Sequence, residues 1–140
     1  MHRATPIDTD DILYRTLTAY TPLMAEISGG VYVAERPDNS TKEDVVVNTI
    51  TIDRELPATG TSNINVHVPD QQVNIGGRQQ YKMNRNRIRL IANQALAALE
   101  AANPFGIGIK VQNQAIIAEE ATHQHYMNIR VQWMIAKEIE

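Results

Sequence analysis

Apolar side chains recur at helical spacing near the start of the chain. This pattern predicts a first helix that is capped by Asp8 or Thr9 and has further carboxylates in its first turn. The dipeptide Thr21-Pro22 divides the pattern, because proline breaks a helix interior but fits a first helical turn. The sequence therefore predicts a second, short helix after this point. The apolar positions of the two helices are Leu13, Leu17, Tyr20 and Met24.

The clearest helical pattern covers residues 87–102. It follows a cap at Asn84 or Asn86 and ends before Pro104, since the residue before a proline disfavours helical backbone. Several alanines raise its helix propensity. The apolar stripe that we expect to face the core consists of Ile88, Ile91, Ala92, Ala95, Leu96 and Leu99.

Alternation of apolar and polar residues predicts five strands, over residues 31–34, 45–54, 63–68, 107–119 and 126–137. In the fourth strand the alternation loses phase near residues 112–115, which indicates a β-bulge. The predicted core-facing positions of the second, third and fifth strands are Val46, Ile50 and Ile52; Ile64, Val66 and Val68; and Met127, Ile129, Val131, Trp133 and Ile135.

The order of these elements predicts one α+β domain over residues 1–140. We expect a mostly antiparallel mixed sheet with the helices packed on one face, in a chain whose length suits a single domain. Trp133 is assigned to the core because it shares a face with four apolar residues. Residues 69–82 are polar, with Gly76-Gly77 near their middle, and are interpreted as a long loop that belongs to an interface.

Charge is unevenly distributed along the chain. The formal net charge is −3, from 13 basic and 16 acidic residues, yet no acid lies between residues 71 and 99. This distribution suits contact with an acidic partner, which can be nucleic acid or protein. The candidate interface residues are the five cations of the acid-free segment: Arg78, Lys82, Arg85, Arg87 and Arg89.

Three interpretations of the basic segment 78–89 remain open. Its side chains can contact phosphates, form a solvated helix start, or pair with acids of a neighbouring subunit. Arg85, Arg87 and Arg89 have the wrong sign for the positive end of a helix dipole. We therefore expect these three arginines to serve a partner contact and to contribute little to the stability of the fold.

Other chemistry is sparse. Glu119, Glu120, His123 and His125 can in principle bind zinc or act as acid and base, but they fall at a predicted hairpin tip, which favours a solvated turn. The turn at 76–78 lacks the Lys-Ser or Lys-Thr of a phosphate-binding loop. The chain has no cysteine, which excludes thiol catalysis and thiolate metal sites. We expect neither an enzyme nor a cofactor.

Taken in order, these elements resemble the tail-terminator proteins of tailed bacteriophages, also called tail-completion or neck-terminator proteins. The likeness covers nearly the whole chain, apart from the segment 69–82. It lies in pattern, since this family has no diagnostic motif. The corresponding segments are an opening helix, the short strand 30–33, the loop at Arg36-Pro37, the strand pair 45–54 and 64–68, the helix 87–102, and the strands 107–119 and 126–137 with Trp133.

The resemblance implies a structural virion protein that forms a homo-oligomeric ring, usually a hexamer. Such a ring caps the tail tube and joins it to the head connector at the neck. The resemblance also implies that the ring is assembled in the bacterial cytoplasm and binds no membrane. DNA crosses its lumen without sequence-specific binding. Two alternatives remain: a small nucleic-acid-binding α+β module that uses residues 78–89, and a small hydrolase or metal protein centred on His123 and His125.

Overall fold

The computed structural model describes residues 1–140. No helix is long and apolar enough to cross a membrane. The helices are α1 (Pro6–Thr18), α2 (Thr21–Glu26) and α3 (Arg85–Ala101), with one 3-10 turn at Glu120–Thr122. The strands are β1 (Val31–Val33), β2 (Asp44–Ile52), β3 (Ala58–Pro69), β4 (Gln71–Ile75), β5 (Arg78–Lys82), β6 (Ile107–Glu119) and β7 (Gln124–Ile135).

Five strands form the main sheet in the order β1-β2-β3-β7-β6, and β4 pairs with β5 in a separate two-stranded sheet. Only β1 and β2 run parallel; every other neighbouring pair is antiparallel. Helix α1 packs on β1 and β2, while α3 packs on β3 and β7. The predicted α+β fold, a mostly antiparallel mixed sheet covered by helices, is confirmed.

The core lies between the helices and the middle of the sheet. Trp133 is 1% exposed, and its indole nitrogen donates a hydrogen bond to the Ser62 hydroxyl at 2.7 Å. The predicted core face of β7 is confirmed, although Met127 at its far end is only partly buried. The predicted stripe of α3 is also confirmed, except that Ala98 is buried and Leu96 is only partly buried.

The start of the first helix differs from the prediction. Its cap is Thr5, whose side chain accepts from the Asp8 amide while the Asp8 carboxylate accepts from the Thr5 amide at 2.8 Å. This reciprocal capping box, with Pro6 in the first turn, places the start before the predicted cap at Asp8 or Thr9. At α3 the predicted cap is confirmed, because Asn84 accepts from the Arg87 amide at 3.3 Å.

The predicted core face of β2 is wrong at Ile50, although Val46 is buried and Ile52 packs partly against the core. Ile50 is 50% exposed, whereas Val45, Val47 and Thr49 are buried. Thr49 can occupy a core-facing position because its hydroxyl is hydrogen-bonded to those of Thr9 and Ser62, both at 2.7 Å. A register shift between residues 49 and 51 then ends the regular alternation.

The segment predicted as a loop over residues 69–82 is instead the β4–β5 hairpin. Its two-residue turn is Gly76-Gly77, with φ of 59° and 79°, values that glycine adopts at little cost. Every residue of the two strands is exposed or only partly buried. The hairpin therefore contributes no buried side chain to the core.

Strand β6 has the predicted bounds, 107–119, and the predicted bulge, seen as a register shift between Val111 and Asn113. It forms one edge of the main sheet, and the short strand β1 forms the other. All side chains from Gln112 to Ala118 are exposed. The layer of helices thus stops short of the outer half of β6.

Candidate subunit interface

The five predicted interface cations fall on two elements. Arg78 and Lys82 lie on one face of strand β5, four residues apart, and are exposed. Arg85 and Arg89 lie one turn apart at the start of α3 and are exposed as well. None of these four residues pairs with a carboxylate within the chain. Their role in an interface stays a prediction.

Arg87 is different, because its partners lie within the chain. Its guanidinium donates to both carboxylate oxygens of Glu43 at 2.7 Å and to the backbone carbonyl of Glu26 at 3.0 Å, and it also pairs with the Glu26 carboxylate. These bonds raise the pKa of Arg87 above its ordinary value. The expectation that this arginine contributes little to the fold is wrong: it ties α3 to the end of α2 and the start of β2.

A groove runs between α3 and the outer half of β6, and we call it the α3–β6 groove. Its volume is about 510 Å³ including the open mouth. Arg85 and Arg89 stand at the groove, and Ile116 lies in it with 48% of its surface exposed. The apolar lining residues are Met83, Ile88, Ala92, Ile116 and Met127.

The predicted cluster of acids and histidines is divided by the structure. His125 Nδ1 lies 2.6 Å from the Asp70 carboxylate, and the ring of His123 stacks on Tyr81 at 3.7 Å. Glu119 lies instead near His67, with 3.4 Å between its carboxylate and Nδ1. No group of three or more His, Cys, Asp or Glu side chains is arranged to hold a metal ion. The stack of Tyr81 on His123 joins the β4–β5 hairpin to the β6–β7 turn.

A buried ion pair lies under the loop that precedes β2. Asp44 is 1% exposed; it accepts from the Ser40 hydroxyl at 2.6 Å and from the Gly30 amide at 3.1 Å, and lies 3.2 Å from the Arg36 guanidinium. Arg36 also donates to the side chain of Gln124 on β7. The loop that precedes β2 is thus tied at several points to the sheet.

His67 lies beside this ion pair. Burial and the nearby Arg36 charge lower the pKa of His67 to about 4, and Asp44 opposes this effect only in part. Its imidazole is tilted against the ring of Tyr126, with 4.8 Å between centroids. The imidazole is therefore neutral at physiological pH.

We expect the free energy of unfolding to fall by up to about 3 kcal/mol as the pH drops from about 6.5 to about 4. The sign follows from the lowered pKa, because the unfolded chain takes up this proton at a higher pH than the folded chain does. Urea titrations at several pH values measure the slope, and His67→Gln should flatten it. An unchanged slope in His67→Gln would contradict the assignment.

Comparison with known proteins assigns no family. A scan against models of protein families finds no match, and a search of curated proteins finds none of significant similarity. Function is therefore inferred from the fold and from the surfaces described above.

Proposed function

We propose that the protein is a structural subunit of a tailed phage. In this proposal several copies, most simply six, join head to tail in a ring that caps the tail tube and connects it to the head. The proposal is supported by the order of helices and strands and by the α+β fold, which agree with those that the resemblance implies.

The observation that carries the proposal is the outer half of β6. Residues 112–118 form an exposed sheet edge with neither a charged residue nor a proline. Monomeric proteins protect such edges, since free backbone groups in an uncharged strand invite pairing with another chain. An assembled ring would cover this edge.

The two edges of the sheet also differ. One is the long strand β6, and the other is the three-residue strand β1 beside helix α1. A contact between unlike edges is heterologous, and repeated heterologous contacts close into a ring when the rotation between copies allows. The net charge of −3 is compatible with a lumen through which DNA passes without being held.

A second candidate function is nucleic-acid binding by the four unpaired cations Arg78, Lys82, Arg85 and Arg89. In that case affinity should fall steeply as salt rises, with a slope set by the number of phosphates contacted. A titration of labelled duplex and single-stranded DNA at several salt concentrations distinguishes this candidate from a ring subunit. Ring assembly predicts only weak binding of DNA by the isolated chain.

Native mass spectrometry and negative-stain imaging test the ring directly. The protein is imaged alone and with tail tubes of the phage that encodes it, because assembly proteins can close only on a template. We expect a closed ring at the end of the tube, with one density per subunit. A single copy at the tube end, or no attachment to the tube, would overturn the proposal.

A further inference from the structure

We propose that neighbouring subunits join when the outer face of helix α1 of one copy docks into the α3–β6 groove of the next. This inference rests on the proposed ring and names the surfaces that would form it. The partner of the groove is thus a second copy of this chain.

The outer face of α1 carries an apolar and acidic stripe, which we call the α1 stripe. It consists of Ile7, Asp11 and Tyr14, which follow one another at the four- and three-residue spacing of a single helix face. Ile7 is 72% exposed, Tyr14 is 40% exposed, and Asp11 is exposed as well. The opposite face of the helix is buried in the core. The α1 stripe therefore has no partner within its own chain.

The α3–β6 groove has the complementary chemistry. Its apolar lining can receive Ile7 and Tyr14, and Arg85 and Arg89 stand where they can pair with Asp11. Docking of an amphipathic helix into a groove is commonly read from anchors at this spacing, here positions i, i+4 and i+7. A contact between the grooves of two copies is disfavoured, because Arg85 and Arg89 of one copy would then face the same cations of the other.

The layer of helices has a gap at the same place. Helix α1 lies over β1 and β2, and α3 lies over β3 and β7, but no helix covers β6. A helix from the next copy would extend this layer across the exposed Ile116. The core-side residues of outer β6 would then be shielded from water, as those of the other strands already are.

The positions of the two surfaces determine the kind of contact. Helix α1, which carries the stripe, packs on β1 and β2, whereas the groove lies beside β6 at the other end of the sheet. Each copy uses its stripe on one neighbour and its groove on the other, which is the arrangement of a ring.

Cysteine cross-linking tests this contact, since the natural chain has no cysteine. Chains carrying Ile7→Cys are mixed with chains carrying Ile116→Cys under mild oxidation. We expect mixed dimers in the mixture and none in either chain alone. A chain with both substitutions should form a ladder that ends at the closed ring. Ile50→Cys is a matched control for Ile116→Cys, because the two positions are equally exposed, and it should not cross-link to position 7.

Charge exchange supplies an independent measurement. Asp11→Arg should weaken association by about tenfold or more, because it places a third cation among Arg85 and Arg89. Adding Arg89→Asp to the same chain should recover much of the loss. Melting temperatures control for folding, and the two substituted side chains, Asp11 and Arg89, are exposed, so we expect small changes.

The possible results distinguish a failure of this interface from a failure of the proposed ring. A ring without the 7–116 cross-link, or without recovery in the charge exchange, overturns the interface and leaves the ring standing. Specific 7–116 cross-links in a chain that forms only open filaments keep the interface and overturn the ring. Loss of the cross-link on addition of DNA or of an acidic peptide, with tube capping unaffected, assigns the groove to another occupant and overturns the inference.

Discussion

Trp133→Ala should lower the free energy of unfolding by about 3–5 kcal/mol, as large-to-small changes in cores do. The indole is 1% exposed and belongs to the main apolar cluster, so its removal leaves a cavity in the centre of the sheet. It also leaves Ser62 without the indole donor. Since small domains are stable by only about 5–15 kcal/mol, we expect insoluble or largely unfolded protein.

Two measurements make this expectation specific. Trp133→Phe keeps most of the apolar volume, leaves a smaller cavity and loses the hydrogen bond to Ser62, so it should cost less than the alanine change. Fluorescence of the single tryptophan in the unassembled chain should be blue-shifted and protected from quenchers. Red, freely quenched emission that shifts only on assembly would instead place Trp133 at a partner surface.

Asp44→Ala should also destabilise the fold by about 3–5 kcal/mol, the range for breaking one half of a buried ion pair. The substitution leaves the Arg36 guanidinium without its carboxylate and removes the acceptor of the Ser40 hydroxyl and the Gly30 amide. The loss is expected to come from uncompensated polar groups more than from the pair itself. Denaturant unfolding monitored by circular dichroism measures it.

A double variant tests that cause. Arg36→Met combined with Asp44→Ala removes the stranded cation, so it should be more stable than Asp44→Ala alone. Asp38→Ala is the matched control, because this carboxylate lies in the same loop but is exposed; it should change stability by less than about 0.5 kcal/mol. A double variant as unstable as the sum of the single variants would contradict the explanation.

Elements with strict periodicity were predictable from the sequence. Strand β7 alternates without interruption over its core face, and α3 has an apolar stripe between an asparagine cap and a proline. In both cases one face is buried by the rest of the domain, so the pattern records burial directly. Even the bulge in β6 was predictable, since an extra residue shifts the alternation by one position.

Other features depend on residues that are far apart in the chain. The buried Thr49 owes its position to hydroxyl partners on α1 and β3, and Arg87 pairs with Glu43, which is 44 residues away. No local pattern carries such information. The β4–β5 hairpin was missed for a different reason: its strands are rich in glutamine, and only the Gly76-Gly77 turn indicated a hairpin.

The sequence predicted the cations of the candidate interface but not the groove beside them. The acid-free segment indicated Arg85 and Arg89, yet their position at an apolar groove depends on β6 lying beside α3. The α1 stripe was missed because Ile7 and Tyr14 lie outside the apolar spacing of Leu13 and Leu17 that predicted the helix. Only the folded chain shows which of the two faces is buried.

The lack of buried side chains in the β4–β5 hairpin has a thermodynamic consequence, although Tyr81 stacks on His123. Two strands without a covering layer are marginally stable in water, so this hairpin can open while the rest of the domain stays folded. Amide hydrogens of residues 71–82 should then exchange with deuterium far sooner than those of β3 or β7. A partner that binds the closed hairpin must offset the conformational entropy that the hairpin loses when it becomes ordered. The intrinsic stability of the hairpin therefore sets part of the affinity for that partner.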